Sequence, residues 1–335
     1  MSNWRQRLTE AVEAGRVLAD SEKNIDLLLG GTSDERAEGA IAELVDEEQW
    51  EEVNDRFYKT LAFGTGGLRG RTIGKIVTSV ERGTGGAGDR PEFPCYGTAC
   101  MNFYNVNRAI RGLISYVKAH LLENGEDRKP VVVIAHDTRH FSAEFTRYCG
   151  AVCVEVGCDV HVFEGPRATP ELSFALRMLR ADAGVVITAS HNPSHDNGFK
   201  AYFNDGGQIV EPHAGGIMAE VNALSGDSYE VLPEAERGTA HVMGPEMDEA
   251  YKEKLRTILL RPELLDGRPA RVVYTNLHGT GGWIVVPMLR ELGFDVITVK
   301  EQDEQDGRFP TVDSPNPENA SALQKAIELA EEVGA

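Results

Sequence analysis

The stretch ITASHNPSHDNGFKAYF, Ile187 to Phe203, presents a serine, a histidine and an Asn-Pro turn directly after an apolar run, with Lys200 close behind. A serine hydroxyl so placed is either a nucleophile for acyl transfer or a carrier of a phosphoryl group. The hydrolase reading is poor. Ser190 and His191 are adjacent, so their side chains point apart, and no third group orients the imidazole. The G-x-S-x-G elbow is absent, with Thr188 and Asn192 where its glycines would stand. A phosphoryl carrier needs an exposed serine on a tight loop, cationic and backbone donors around it, and room for a divalent cation. TASHNP followed by a lysine meets that demand better.

Other segments could supply those donors. FGTGGLRG, from Phe63 to Gly70, has the composition of a backbone cradle for phosphate, and it carries Arg69. His136-Asp137-Thr138-Arg139 follows another apolar run, and His278-Gly279-Thr280-Gly281-Gly282 a third. A further GTGG string at Gly83 to Gly86 lies in what reads as plain linker.

These loops need strands to end on. PVVVIAH, CDVHVF and GVVITAS are continuous apolar runs alternating with helical patterns at Met101–Asn124, Ser142–Val156 and Thr169–Leu179. That alternation predicts a mostly parallel sheet covered by helices on both faces, with ligands at the carboxyl ends of its strands. The theme recurs: RVVYTNLHGTGG enters a Gly-rich turn, Ile284–Leu292 reads as a helix, and GFDVITV as a strand. VEVGCDVHVF and RELGFDVITV match, with Gly157 against Gly293 and Asp159 against Asp295. The expected fold is therefore α/β, with similar sandwiched sheets in successive domains. A polar N-terminal segment adds helices at Trp4–Ala14, Ser33–Leu44 and Glu47–Leu61, expected to form a solvated helical extension packed on the first domain. The four glycines between Gly64 and Gly70 argue against a regular element there.

The chain has 335 residues and a formal net charge of −19, which argues against nucleic acid or an anionic membrane as partner. An anionic small substrate remains compatible, through a local basic pocket. No apolar run approaches the roughly 18 residues of a membrane helix. The N-terminus lacks the apolar core of a secretory signal. Five cysteines without such a signal read as reduced thiols of a cytoplasmic protein.

TASHNP-x3-NG-x-K, Thr188 to Lys200, resembles the phosphoserine loop of the α-D-phosphohexomutase superfamily, the phosphoglucomutases and phosphomannomutases. FGTGGLRG resembles that family's first-domain loop, HDTRHFS its D-x-R-x-S segment with one extra residue, and VVYTNLHGTGG the start of its second domain. The helical N-terminal extension is similar to the phosphoglucomutase/phosphopentomutase branch. The resemblance implies an isomerase that interconverts hexose 1-phosphate and hexose 6-phosphate, with glucose favoured, through a phosphoserine enzyme and a sugar bisphosphate. It implies Ser190 as phosphoryl carrier, with His191, Lys200 and Arg69 as catalytic partners. Thr65, Gly66, Gly67, Arg69, Arg139, Thr188 and Asn192 would contact the sugar phosphate. It also implies Mg²⁺ held partly by the phosphate on Ser190, glucose 1,6-bisphosphate as activator, and a monomer or weak dimer.

The family's D-x-D-x-D-R metal loop, its sugar loop and its C-terminal phosphate clamp are missing from the sequence. The expected organisation is a helical extension over 1–62, a first domain over 63–240, and an incomplete second domain over 241–335 that stops before the metal loop. The aspartate ligands of Mg²⁺ are thus expected to lie beyond Ala335. On that expectation the 335-residue chain alone does not turn over. A non-catalytic sugar-phosphate-binding or regulatory homologue is the alternative.

Overall fold

A computed structural model describes residues 3–62, 66–86, 88–265 and 270–335. Four helices open it: α1 (Trp4–Glu13), α2 (Ala19–Gly31), α3 (Arg36–Asp46) and α4 (Trp50–Phe57). Each turns an apolar stripe inward, so that Leu8, Ile25, Leu28, Ile41, Leu44 and Phe57 form a shared core. This corrects the expectation of a solvated appendage. It also adds α2, whose Leu27-Leu28-Leu29 run hides a helical period. Buried Arg56 anchors the bundle on the rest of the chain. It bonds Glu52 on its own helix and Glu81 on the short helix α5 (Ser79–Arg82). Thr78 and Glu81 cap α5 reciprocally.

The next unit contains β1 (Gly67–Arg71), α6 (Phe103–Glu123), β2 (Val131–His136), α7 (Ser142–Glu155), β3 (Asp159–Phe163), α8 (Thr169–Met178), β4 (Ala183–Ile187), β5 (Asp196–Phe203), α9 (His213–Ala223) and β6 (Ala240–Met243). The strand order is β1-β5-β4-β2-β3-β6. β4, β2, β3 and β6 are parallel neighbours, whereas β5 runs antiparallel between β1 and β4. Helix α6 covers the sheet with a fully buried stripe including Ile110, Leu113 and Val117.

Two expectations are revised. The glycine-rich segment does form a strand. Its glycines permit a close approach, since a Cβ on Gly67 would lie 1.8 Å from the Phe199 carbonyl oxygen, at φ +144°. The first sheet also runs past residue 240, because β6 pairs in register with β3. β6 is an edge strand with Val242 73% exposed, so backbone pairing, not burial, defines it.

The remaining unit holds α10 (Pro245–Arg256), β7 (Arg271–Tyr274), α11 (Val285–Glu291), β8 (Asp295–Thr298) and α12 (Gln324–Val333), with β7 and β8 parallel. The duplication is visible in register. Val131 faces Asp159 in the first copy, and Arg271 faces Asp295 in the second.

Candidate active site

Ser190 stands three residues beyond the carboxyl end of β4, exposed, at φ +58°. A non-glycine residue holds that left-handed conformation only when its surroundings impose it. Here they do. The Ser190 N–H donates to Thr188 Oγ1 at 2.9 Å, and that hydroxyl donates to Asp137 Oδ2 at 2.5 Å. Asp137, at the end of β2, also accepts from Ser142 Oγ at 2.8 Å and from the Arg139 N–H at 3.0 Å.

Arg139 closes the loop from beneath. Its side chain is fully buried. It donates to the carbonyls of Ser190 at 2.7 Å, Asn192 at 2.6 Å, Pro193 at 2.8 Å and Asp196 at 3.2 Å. Its Nε lies 3.2 Å from Asp137 Oδ2. Burial pushes this guanidinium below its ordinary pKa, while Asp137 and Asp196 hold the charge in place. Arg139, expected at the sugar phosphate, is thus occupied in shaping the serine loop. Asp137, which the sequence shows within His136–Arg139, is the residue to which sequence reasoning gave no role of its own. Its position at a strand end was the available signal, but its partners are a hydroxyl and a backbone amide that no motif announces.

The other expected residues divide. Antiparallel pairing sets Arg69 opposite Gly198, whose carbonyl accepts from the Thr188 N–H at 2.9 Å. Arg69 therefore reaches the serine edge and donates to Asn192 Oδ1 at 3.3 Å. Asn192 in turn donates to Asp196 Oδ2 at 2.9 Å. Lys200, on β5 opposite Gly67 and Val186, is half-buried. Burial, reinforced by the charges of Arg69 and Arg139 against that of Asp137, lowers its pKa from the usual lysine value. His191 is exposed beside Ser190. Gly66 accepts from the Ala201 N–H at 3.0 Å and Gly67 belongs to β1, so both fix this strand against β5. Thr65, and with it Gly64, lies outside the described residues.

Ser190, His191 and Thr188 line a cleft of about 430 Å³ whose far wall is Tyr274–Leu277 and Gly279–Gly281 of the last unit. His278 does not reach in. It is buried, with Nδ1 2.8 Å from the Glu304 carbonyl and Nε2 2.9 Å from Thr311 Oγ1. The walls meet where the Phe309 ring lies 5.2 Å from the Arg139 guanidinium, and where Arg167 stacks 4.3 Å from the Trp283 ring.

A divalent cation fits these residues incompletely. Among the described residues no group of three His, Cys, Asp or Glu side chains converges, and Asp137 is already engaged by three donors. A small dication coordinated by carboxylates needs more than the single oxygen Ser190 offers. The metal assignment to Ser190 therefore rests on the family resemblance alone.

Residues 82–227 match the model of phosphoglucomutase/phosphomannomutase alpha/beta/alpha domain I, and residues 249–335 match that of domain II. The phosphoglucomutase of Staphylococcus saprophyticus is 32% identical over 307 residues, covering 89% of this chain and 49% of that protein. The phosphoribomutase of Saccharomyces cerevisiae is 32% identical over 309 residues, covering 87% and 45%. In fold the chain resembles a phosphoglucomutase/phosphomannomutase family protein of Burkholderia thailandensis, with TM-score 0.57 and 22% identity over 82% of this chain and 50% of that one. The chain spans about half the length of the curated relatives it matches. With both domain models aligned on the two α/β units that enclose the Ser190 cleft, the chain belongs to the phosphoglucomutase/phosphomannomutase family, within the α-D-phosphohexomutase superfamily.

Proposed function

We propose that the protein to which this chain belongs interconverts a hexose 1-phosphate and a hexose 6-phosphate, glucose being the favoured sugar, with Ser190 as the phosphoryl carrier. The observation that carries this is the state of the serine: exposed, left-handed, pinned from beneath by Arg139 and Asp137, and turned into a cleft between two α/β units. A rigid, solvent-facing hydroxyl suits a reaction that depends mostly on positioning and charge neutralisation.

On this reading Ser190 Oγ bears the phosphoryl group at rest. The sugar hydroxyl attacks phosphorus, the P–Oγ bond breaks, and a sugar bisphosphate results. After the bisphosphate turns over, its other phosphoryl group returns to Oγ. Lys200 and Arg69 stand on the serine edge of the sheet and offset the phosphate charge. Lys200, with its pKa lowered by burial and by neighbouring cations, is suited to exchange a proton with the sugar hydroxyl. No step is assigned to Mg²⁺, because the residues described do not complete a site for it. Glucose 1,6-bisphosphate is the proposed activator, since it can phosphorylate Ser190 directly. A cytoplasmic location and a monomer or weak dimer belong to the same reading.

The test is to incubate the protein with glucose 1,6-bisphosphate and map phosphate by intact mass and peptide analysis. Phosphate on Ser190, absent in Ser190→Ala, is expected. Phosphate elsewhere, with Ser190→Ala retaining normal turnover in the coupled glucose 1-phosphate assay, overturns the assignment. The 335-residue chain assayed alone is expected to show no turnover above the Ser190→Ala control.

A further inference from the structure

A second cavity, roomier than the serine cleft, measures about 650 Å³. It lies at the opposite edge of the first sheet, where Asp182 leads into β4 and β5 runs out through Phe203 to Asn204. We propose that this cavity binds a small phosphorylated anion at a site separate from the serine cleft.

Its floor is apolar, made of Val117, Leu121, Ala181 and Phe203. Its polar lining holds three arginines, Arg128, Arg177 and Arg180, two carboxylates, Glu126 and Asp182, and the neutral amides Asn124 and Asn204. Volume and lining suit a small ligand held by a few placed donors. The three arginines are not equivalent. Arg128 is held by Asp182 through bonds of 2.8 and 2.7 Å and by Glu126 at 2.8 Å, so its charge is answered within the protein. Asp182 is further engaged by the Val131 N–H at 2.8 Å. Arg177 and Arg180 pair with no carboxylate among the described residues.

Two unanswered guanidinium groups three residues apart are unusual in a chain of net charge −19. A cation at the end of α8 gains from the helix dipole, and that alone would leave Arg177 free to wander. It does not wander. Its stem packs on the turn after β5, where a Cβ on Gly206 would come within 3.0 Å of Arg177 Cδ. Arg180 leaves the helix end at φ +52°, a conformation uncommon for a long side chain. Both side chains line the same cavity. Guanidinium forks match phosphate oxygens two at a time, which selects a phosphoryl group over a simple halide. The edge location excludes chemistry at Ser190, because the parallel strands direct their carboxyl ends the other way.

Calorimetric titration of the 335-residue chain with inorganic pyrophosphate tests this, at an ionic strength matched with sodium chloride. The serine cleft also has an appetite for phosphate, so the variants carry the discrimination. Saturable binding that weakens at least tenfold in Arg177→Ser/Arg180→Ser and survives in Lys200→Ala supports the site. Both arginines are exposed, so the fold is expected to persist, and Arg180→Gln alone, expected to weaken binding severalfold, gives a milder second variant. Binding lost in Lys200→Ala and unchanged in the arginine variants overturns the proposal and leaves the reading of Ser190 untouched. Absence of saturable binding overturns it as well.

Discussion

Two loops, one from each α/β unit, line the same cleft, and both bend through left-handed residues: Ser190 at φ +58° on one side, Leu277 at +46° and His278 at +62° on the other. They are held differently. The Ser190 loop closes over a buried guanidinium and a carboxylate, Arg139 and Asp137. The His278 loop closes over an imidazole whose partners are uncharged: the Glu304 carbonyl and Thr311, which Gln302 also bonds, with Thr275 Oγ1 donating to Gln302 Oε1 at 2.6 Å. A loop meant to face a phosphate gains from a positive charge beneath its backbone carbonyls, and that charge also makes it costly to disturb. A loop that serves as a wall needs only shape.

The largest expected effect follows from that contrast. Arg139→Met takes the guanidinium away from four carbonyls, of which Pro193 keeps the Asp196 N–H, and leaves Asp137 without its cation, and breaking such a buried pair costs about 3–5 kcal/mol. His278→Leu removes two hydrogen bonds to uncharged partners and leaves the Glu304 carbonyl without that donor, while Thr311 keeps Gln302, about 1–3 kcal/mol. Urea unfolding of each variant measures the difference. Phosphorylation of Ser190 by glucose 1,6-bisphosphate should collapse in Arg139→Met and change only modestly in His278→Leu. Equal costs for the two substitutions would break the comparison.

The two walls are joined where Arg167, fully buried beyond β3, donates to both oxygens of Asp248 on α10 at 2.7 and 2.9 Å. Beneath them sits Glu171 of α8, fully buried. Burial, and then the neighbouring Asp248, push its pKa up to about 8, with Arg167 opposing. Burial works against Asp248 as well, but Arg167 holds it below the ordinary value. A carboxyl whose folded pKa is raised gives stability that is full below its unfolded pKa, near 4.5, and is lost as pH climbs to about 8. Asp248 acts oppositely, and only in the acid range. The wild-type chain should therefore lose stability between about pH 5 and 8, by at most about 1.4 kcal/mol per pH unit. In Glu171→Gln this decline should vanish. Thermal unfolding at pH 6 and pH 8.5 is the measurement, and parallel slopes for the two proteins would refute a neutral Glu171 at the joint.

What was legible in the sequence was what side chains determine. The apolar runs Val131–His136 and Ala183–Ile187 are strands buried on both faces, Asp159–Phe163 buries Val160 and Phe163, and burial shows as composition. The serine loop was legible because its residues are chemically specific, and the duplication because glycine and aspartate recur at one spacing. What depends on backbone was not legible. β1 forms because glycines let a main chain approach, and β6 because an edge offers free donors and acceptors. Arg139 grips four carbonyls, partners that every residue possesses and no sequence advertises. Its motif announces no such grip.

The smallest effect tests the duplication itself. Gly157 and Gly293 occupy the same place in the two copies, at φ +80° and +89°, just before the strands that begin at Asp159 and Asp295. An alanine at either position adopts a left-handed conformation at a cost of roughly 1 kcal/mol. The surroundings then separate the copies. A Cβ at Gly157 would meet Leu232 Cδ1 at 2.9 Å and the Glu236 carbonyl at 3.1 Å, because the strap after α9 crosses it, tied by Leu232 N–H to Glu155 O at 3.0 Å and Gly238 N–H to Val154 O at 2.9 Å. A Cβ at Gly293 would meet nothing within 4 Å. Gly293→Ala should therefore cost only the backbone term, about 1 kcal/mol. Gly157→Ala should cost about 1 kcal/mol more, since Leu232 can turn aside but the Glu236 carbonyl is main chain. Native-state hydrogen exchange on β3 and β8 reads each copy separately. Equal losses would mean that the strap over the first copy yields to a methyl group, and that the two units are held more alike than their loops are.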